Sequence, residues 1–292
     1  MRMVVIGGKG QVGSEVVLAA RSSGLDVVSL DHDSIEVTSQ ASVERALSDI
    51  GPGDVVVNTA AFHQTDRCED EPDRALSINA VGAYRVALEA QRRGAAVMYV
   101  SSDFVFDGGK REPYVESDAP HPINVYGMTK LAGEFLVSSA NARAYIIRLS
   151  AVFGPAGSSG KGGNFVESMV AEARAGDAPK VVDDIVMAPT SARDAAALMI
   201  GLTRAQAPYG IYHLANAGQC SWFEFADTIF TLCGARTRPE RVPAATMAGK
   251  APRPPYSVLA SERLGALGLM AHPWQDALRG YLSAKGYLKN RA

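Results

Sequence analysis

Mostly apolar runs alternate with helix-patterned segments along the first half of the chain. Five of these runs are continuous, as expected of strands covered on both faces, and they lie at 3–6, 27–30, 54–58, 96–101 and 145–149. Segments with helical periodicity separate them, at 12–21, 41–47, 74–93 and 126–138. Strands that alternate with helices predict parallel βαβ units with right-handed crossovers. We therefore expect an α/β fold with a Rossmann-type, doubly wound parallel sheet.

The pattern becomes less regular after residue 152. A glycine-rich stretch at 154–163 predicts a loop or a hinge. Beyond it the pattern predicts two short strands and a helix, at 180–182, 211–214 and 191–205, and then a mainly helical chain from residue 220 with prolines over 239–255. These features predict two regions. The larger is formed by 1–155 and 180–215, and the smaller, mainly helical one by 156–179 and 216–292.

A glycine-rich turn follows the first predicted strand. Gly7, Gly10 and Gly13 are spaced as GxxGxxG immediately before a helix. Such glycines allow a tight turn and let a pyrophosphate approach the free N–H groups of the helix N-terminus. Asp31 ends the second predicted strand 18 residues after Gly13, where a carboxylate can bind the ribose hydroxyls of NAD(H). The spacing alone is equally compatible with an ordinary glycine turn.

Cations near Asp31 leave the choice of dinucleotide open. Lys9 and His32 could accommodate the 2′-phosphate of NADP(H), although Lys9 is more readily explained as a solvated turn lysine. Small residues close the third predicted strand at 58–62, where backbone could lie against a cofactor or simply pack beneath a loop. The expected cofactor is therefore NAD(H) or NADP(H).

A tyrosine and a lysine share one face of a predicted helix. Tyr126 and Lys130 are four residues apart, so a cation next to the phenol would lower its pKa and make it a proton donor near neutral pH. By itself this pair could be a solvent-facing accident. Ser102 lies at the end of the preceding predicted strand, where ligands of open α/β sheets bind. Its hydroxyl and Tyr126 could then address the same substrate oxygen.

Composition and charge exclude several classes of protein. The chain has 292 residues, 47% of them hydrophobic and 21% charged, as in folded globular proteins. Its 29 basic and 31 acidic side chains give a net charge of −2, which argues against a nucleic-acid partner or a polybasic membrane anchor. The apolar run at 195–202 is too short to span a bilayer, and the N-terminal run is too short for a signal-peptide core. Unpaired spacing of Cys68, Cys220 and Cys233 predicts reduced thiols in a cytoplasmic protein.

Several longer motifs together resemble one family. The chain is similar to the extended short-chain dehydrogenase/reductases and, within them, to the dTDP-4-dehydrorhamnose reductases, over essentially its whole length. The motifs are GGKGQVGSE (7–15), VVNTAAFHQTDRCEDEP (56–72), INAVG (78–82), SSDFVFDGGKREPYVESDAPHPINVYGMTKLAGE (101–134), GGNF (162–165), VVDDIVMAPT (181–190) and RPPYSVL (253–259). The 101–134 block is the most specific of them.

The resemblance assigns roles to individual residues. It implies a catalytic triad of Ser102, Tyr126 and Lys130, with Tyr126 and Lys130 also on the cofactor. The remaining cofactor-binding residues would be Gly7, Gly10, Gln11, Val12, Gly13, Asp31, Ala60, Ala61 and Phe62. Substrate binding would involve Ser102, Asp103, Phe104, Asn164 and Arg253, with Arg253 on a nucleotide diphosphate. The larger region would then bind the dinucleotide and the smaller one the substrate.

The implied activity is the NAD(P)H-dependent reduction of a nucleotide-linked 4-keto-6-deoxy sugar, such as dTDP-4-dehydrorhamnose to dTDP-rhamnose. Another nucleotide-sugar reductase or epimerase is an alternative, as is a non-catalytic subunit resembling the regulatory β-subunit of methionine adenosyltransferase. A dehydratase is disfavoured because Asp103 is followed by Phe104 and not by glutamate. The protein would be a monomer or a homodimer.

Two departures from the family pattern affect these expectations. Ala151 occupies a position where the family has tryptophan against the sugar, which leaves the exact sugar open. Glu15 matches a glutamate associated with a metal-bridged dimer in some members, but Arg193 stands where a second glutamate is expected. We therefore predict neither a bound metal nor that dimer.

Overall fold

The computed structural model describes residues 1–157, 163–246 and 249–289, and its centre is a six-stranded parallel sheet. The strands are β1 (Arg2–Ile6), β2 (Asp26–Leu30), β3 (Val55–Asn58), β4 (Ala96–Ser102), β5 (Ala144–Leu149) and β10 (Gly210–His213). Their order across the sheet is β10-β5-β4-β3-β1-β2. The order reverses between β1 and β3, which opens a crevice beyond their carboxyl ends. The predicted α/β fold with a doubly wound parallel sheet is confirmed.

Helices cover both faces of this sheet. They are α1 (Gln11–Ser22), α2 (Gln40–Ala46), α3 (Thr65–Asp70), α4 (Pro72–Leu76), α5 (Ala83–Arg92), α6 (Val125–Ala140), α7 (Phe165–Ala175), α8 (Ala192–Arg204), α9 (Trp222–Cys233) and α10 (Trp274–Ala284). Met3 and Val5 of β1 pack in the apolar cluster that includes α1 and α8. Val4 and Ile6 pack in the opposite cluster, with α2, α5 and α6. Burial on both faces explains why the strands are apolar runs without alternation.

A third apolar cluster forms in the C-terminal half, from α7, α9 and α10. Pairs of short strands surround it: β7 (Lys180–Val182) with β12 (Glu240–Val242), β8 (Val186–Met187) with β11 (Cys220–Ser221), and β6 (Val152–Phe153) with β9 (Thr190–Ser191). Val181 and Met187 belong to this cluster, although the predicted division groups 180–215 with the sheet. The division into two regions itself stays a prediction.

Other differences from the predicted elements are local. The segment predicted as one helix at 74–93 holds a π-helical turn at Ser77–Gly82 between α4 and α5. Helices α3 and α7 were not expected. Half of the glycine-rich loop predicted at 154–163, residues 158–162, lies outside the described residues. Within the described ranges no helix is both long and apolar enough to cross a membrane.

Candidate active site

A cavity of about 1330 Å³ lies beyond the carboxyl ends of the sheet strands. The sheet side contributes the turn after β1, the residues after β3 and the end of β4, while the C-terminal half contributes residues of α7, β7 and the 249–257 segment. Twelve residues predicted for the site line it: Gly7, Gly10, Gln11, Val12, Asp31, Ala60, Ala61, Ser102, Asp103, Phe104, Tyr126 and Arg253. Two regions distant in sequence therefore share one crevice.

The turn after β1 is shaped so that only glycine fits at its tightest points. Gly7 has a φ of +81°, and a Cβ at Gly13 would lie 2.2 Å from the Gly7 carbonyl oxygen. Gly10 donates a backbone hydrogen bond of 2.8 Å to the same oxygen. The buried Oε1 of Gln11 has no hydrogen-bond partner among the described residues, while its Nε2 donates to the Val152 carbonyl at 2.8 Å. The open glycine cradle beside a helix N-terminus fits a pyrophosphate.

An ion pair between Lys9 and Asp31 lines the cavity next to the glycine turn. The Lys9 ammonium contacts the Asp31 carboxylate, and both residues line the cavity with His32. The hydrogen bond from Lys9 is the main reason why the pKa of Asp31 is lowered. The Lys9 side chain is largely exposed, as a solvated turn lysine would be, and its charge offsets the carboxylate that would meet an adenosine ribose.

Tyr126 and Ser102 meet at the inner end of the cavity. Burial raises the pKa of the Tyr126 phenol well above its usual value, and a hydrogen bond between the phenol and Ser102 opposes the shift. The expectation that Lys130 lowers the pKa of Tyr126 is wrong for this structure, because desolvation dominates and Lys130 is not among the groups that oppose it. A high pKa keeps the phenol protonated, as a proton donor requires.

Lys130 lies beneath the cavity and does not line it. It is 1% exposed, and its Nζ has no hydrogen-bond partner among the described residues. Burial lowers the pKa of Lys130 to about 7, and the carboxylate of Glu134 opposes this shift. An orphaned, buried ammonium one helical turn from Tyr126 fits a group that receives a polar ligand, such as the ribose of a dinucleotide.

Asp103 organises the hydroxyls around Ser102. Its carboxylate accepts hydrogen bonds from Ser102 at 2.9 Å and from Ser150 at 2.8 Å. Burial raises the pKa of Asp103, and the surrounding serine hydroxyls oppose the shift. Next to it, the Phe104 ring meets the Tyr126 ring edge to face, with centroids 5.8 Å apart. Phe104 therefore packs on the phenol while it lines the cavity.

A segment of the C-terminal half is fastened across the cavity to α3. The Arg253 guanidinium donates to the Thr65 hydroxyl and pairs with the Asp66 carboxylate, which also accepts from the Ala251 N–H. Lys250 forms a 2.6 Å ion pair with Asp70. The acidic stretch around Asp66 anchors this segment, and only the tertiary structure brings the partners together.

Four predicted site residues do not line the cavity: Gly13, Phe62, Lys130 and Asn164. Gly13 packs against the turn, and Phe62 lies behind Tyr126 in a small apolar cluster. Asn164 caps α7 by accepting from the Glu167 N–H and donates to the Gly154 carbonyl at 2.8 Å. Its side chain is therefore engaged in holding local backbone, and its role in substrate binding stays a prediction.

Sequence reasoning also missed several lining residues. Trp222 borders the cavity and packs against Phe165 with ring centroids 4.7 Å apart. Ala151, by contrast, was already singled out as the position where the family has tryptophan against the sugar, and it lines the cavity with a φ of +41°. These residues lie far apart in the chain, and no motif marks them as neighbours.

The described residues contain no cluster of three or more His, Cys, Asp or Glu side chains that could hold a metal ion. Glu15 is buried on α1, which raises its pKa, and the charge of Arg193 opposes the shift. The charge of Arg193 is therefore close enough to act on the buried carboxyl group of Glu15.

The chain matches a family model and several named proteins over nearly its whole length. The family model described as RmlD substrate binding domain matches residues 1–286. The chain is 38% identical to the spore coat polysaccharide biosynthesis protein SpsK of Bacillus subtilis, over 97% of this chain and 98% of that protein. It is 36% identical to the dTDP-4-dehydrorhamnose reductase of Mycolicibacterium smegmatis, over 97% of this chain and 85% of that protein.

A solved structure extends the likeness to three dimensions. The structure of dTDP-4-dehydrorhamnose reductase from Bacillus anthracis in complex with NADP superposes with a TM-score of 0.91 and 32% identity, covering 97% of this chain and 99% of that one. The resemblance deduced from the motifs is therefore confirmed: this chain belongs to the RmlD substrate binding domain family, together with dTDP-4-dehydrorhamnose reductases.

Proposed function

We propose that this protein is an NAD(P)H-dependent reductase of a nucleotide-linked 4-keto-6-deoxy sugar, with dTDP-4-dehydrorhamnose as substrate and dTDP-rhamnose as product. The named relatives supply the substrate class, and the cavity supplies residues for each part of the reaction. The protein acts in the cytoplasm as a monomer or homodimer.

The crevice at the reversal of strand order would hold the dinucleotide. Gly7 and Gly10 admit the pyrophosphate, Ala60 and Ala61 line the path, and the Lys9–Asp31 pair receives the adenosine ribose. When bound, the reduced dinucleotide supplies the hydride. The described cradle and the unpaired ammonium of Lys130 support this placement.

Tyr126 and Ser102 act on the keto oxygen of the sugar. Tyr126 donates its proton to that oxygen, and its raised pKa keeps the phenol protonated in the resting state. Ser102 turns its hydroxyl proton from the Asp103 carboxylate and donates it in a hydrogen bond to the same oxygen, and Lys130 would bind the ribose next to the nicotinamide. Orientation and stabilisation of negative charge at one oxygen account for most of the expected rate acceleration.

The C-terminal half receives the nucleotide end of the substrate. Arg253 lines the cavity, and its planar guanidinium suits diphosphate oxygens once it exchanges its contacts with Thr65 and Asp66. Asp103 and Phe104 border the sugar. Residues 156–179 and 216–292 form the substrate-binding region in this proposal, with Asn164 holding local structure.

The observation that carries the proposal is the meeting of Tyr126 with Ser102 in the cavity that also contains the glycine cradle. The test is the loss of nicotinamide absorbance when dTDP-4-keto-6-deoxyhexose is added to the protein with NADH or NADPH. We expect turnover in the wild type and its abolition in Tyr126→Phe, with dinucleotide affinity retained.

Tyr145→Phe is the matched control, because the Tyr145 hydroxyl donates to the Ala207 carbonyl at 2.8 Å and this residue does not line the cavity. Full activity in Tyr126→Phe would remove the assignment of the proton donor. Absence of turnover with every keto-sugar nucleotide, together with co-purification of a partner subunit, would favour the regulatory alternative.

A further inference from the structure

A buried aromatic ring lies directly under the lysine of the site. The Nζ atom of Lys130 is 4.1 Å from the centroid of the Tyr99 ring, in a cation–π contact. We propose that Tyr99 is a positioning residue, which holds the Lys130 ammonium in place for the dinucleotide through the face of its ring. This inference rests on the proposed function for the role of Lys130, and it adds a residue to which no part of the reaction has been assigned.

Tyr99 is itself rigidly fixed. It is fully buried in β4, and its hydroxyl donates a 2.7 Å hydrogen bond to the Asn79 carbonyl in the π-helical turn at Ser77–Gly82. A Cβ at position 133 would lie 2.3 Å from the Tyr99 hydroxyl oxygen, so Gly133 leaves the space that the ring requires. The ring is thus anchored at both its strand and its hydroxyl.

The charged and titratable groups around Lys130 do not replace this contact. Glu134, on the same helix, accepts hydrogen bonds from Arg148 at 2.7 and 2.9 Å and from Ser101 at 2.5 Å. Its charge favours the ammonium, but the described hydrogen bonds of its carboxylate go to other residues. Tyr126, one turn earlier on α6, faces Ser102. Among the described residues, the cation–π contact with the Tyr99 ring is therefore the interaction that orients the Nζ atom of Lys130.

The cation–π contact between Lys130 and Tyr99 is strong enough to affect dinucleotide binding. A desolvated cation–π interaction changes an equilibrium by up to about 30-fold. Without the ring, the long lysine side chain would sample other rotamers, and its ammonium would be less favoured at this buried position. We therefore expect loss of the ring to weaken dinucleotide binding and to make Lys130 lose its proton at lower pH.

The test compares variants that keep or remove the π face. Tyr99→Met fills a similar volume without a ring, and Tyr99→Phe keeps the ring but loses the bond to Asn79. Tyr145→Met is the matched control, since Tyr145 is a buried tyrosine of the adjacent strand β5 whose hydroxyl also donates to a backbone carbonyl. Dissociation constants for NADPH and NADH are measured by nicotinamide fluorescence, followed by pH profiles of kcat/KM.

We expect Tyr99→Met to weaken dinucleotide binding about 10- to 30-fold, and Tyr99→Phe and Tyr145→Met to weaken it less than about threefold. The alkaline limb of the kcat/KM profile should move to lower pH by about half a unit or more in Tyr99→Met only. Tyr99→Leu serves as the ring-free variant if Tyr99→Met does not fold.

Two outcomes overturn the inference. One is an effect in Tyr145→Met as large as in Tyr99→Met, which would mean general damage to the core. The other is an unmoved alkaline limb with unchanged dinucleotide affinity in the ring-free variant. If the wild type reduces no keto-sugar nucleotide, the proposed function fails, whereas the dinucleotide affinities still decide the role of Tyr99.

Discussion

The hydroxyl of Ser102 donates a 2.9 Å hydrogen bond to the carboxylate of Asp103, its neighbour in sequence at the end of β4. A hydroxyl has one proton, so this bond holds the Ser102 rotamer in the protein without substrate, and that proton must turn from Asp103 to the keto oxygen when Ser102 donates to the substrate. Asp103 also accepts from Ser150 at 2.8 Å and thereby connects the ends of two strands. The Asp103 carboxylate is thus a fixed support beneath the residues that meet the substrate.

Replacing this support should reduce catalysis without affecting the dinucleotide. We expect Asp103→Ala to lower kcat about tenfold, because Ser102 becomes free to rotate, while Ser102→Ala lowers it about a hundredfold by removing a hydrogen bond to the reacting oxygen. Steady-state kinetics and fluorescence titration with NADPH measure the two effects. Wild-type kcat in Asp103→Ala would show that Ser102 needs no such support.

The Lys9–Asp31 pair should set the preference between the two dinucleotides. Lys9→Met leaves the Asp31 charge unopposed, and we expect the KM for NADPH to rise about tenfold relative to that for NADH. Lys110→Met is the matched control, since Lys110 pairs with Asp118 and does not line the cavity. An unchanged ratio of the two KM values in Lys9→Met would show that Lys9 is distant from the 2′-phosphate.

Gly13 should tolerate no side chain. A Cβ there would lie 2.2 Å from the Gly7 carbonyl oxygen, so Gly13→Ala must displace the turn that receives the pyrophosphate. We expect a loss of about 1–3 kcal/mol in the free energy of unfolding and at least about tenfold weaker dinucleotide binding. Thermal unfolding and fluorescence titration provide the two measurements.

Gly280 offers the control for this substitution. It also lies in a helix, α10, and a Cβ there would meet nothing within 4 Å. Gly280→Ala should stabilise the protein by up to about 1 kcal/mol through helix propensity alone. Equal behaviour of the two alanine variants would contradict the packing argument at Gly13.

The buried charge of Lys130 should lower the free energy of unfolding of this protein. Burial lowers its pKa from 10.5 to about 7, so the unfolded state binds the proton more tightly. Between about pH 7 and the ordinary lysine value, the free energy of unfolding therefore rises with pH because of this group. We expect Lys130→Met to abolish turnover and to stabilise the protein by about 1 kcal/mol or more at neutral pH.

Denaturant unfolding at several pH values checks this prediction. The advantage of Lys130→Met over the wild type should be largest at or below pH 7 and should diminish as the pH rises, because the wild-type lysine then becomes neutral in both states. A destabilised Lys130→Met variant would mean that the contact with the Tyr99 ring and the charge of Glu134 outweigh the cost of burying the ammonium.

Much of the site was predictable because its residues lie at fixed places in strand–helix units. Gly7, Ser102 and Tyr126 could be placed on the crevice from the chain order alone, since parallel strands bring their carboxyl ends to one edge. The pKa of Tyr126 could not be predicted in this way. Its direction depends on how deeply the phenol is buried, which spacing along the helix does not reveal.

The parallel sheet, the glycine turn and the helix that carries Tyr126 and Lys130 follow from local sequence pattern, because apolar periodicity and glycine spacing act over a few neighbouring residues. Three other features depend on long-range packing: Arg253 pairs with Asp66, Trp222 borders the cavity and Tyr99 lies under Lys130. Arg253 is 187 residues from Asp66, and Tyr99 is 31 residues from Lys130. Packing of the chain, and not a local pattern, therefore brings these residues together.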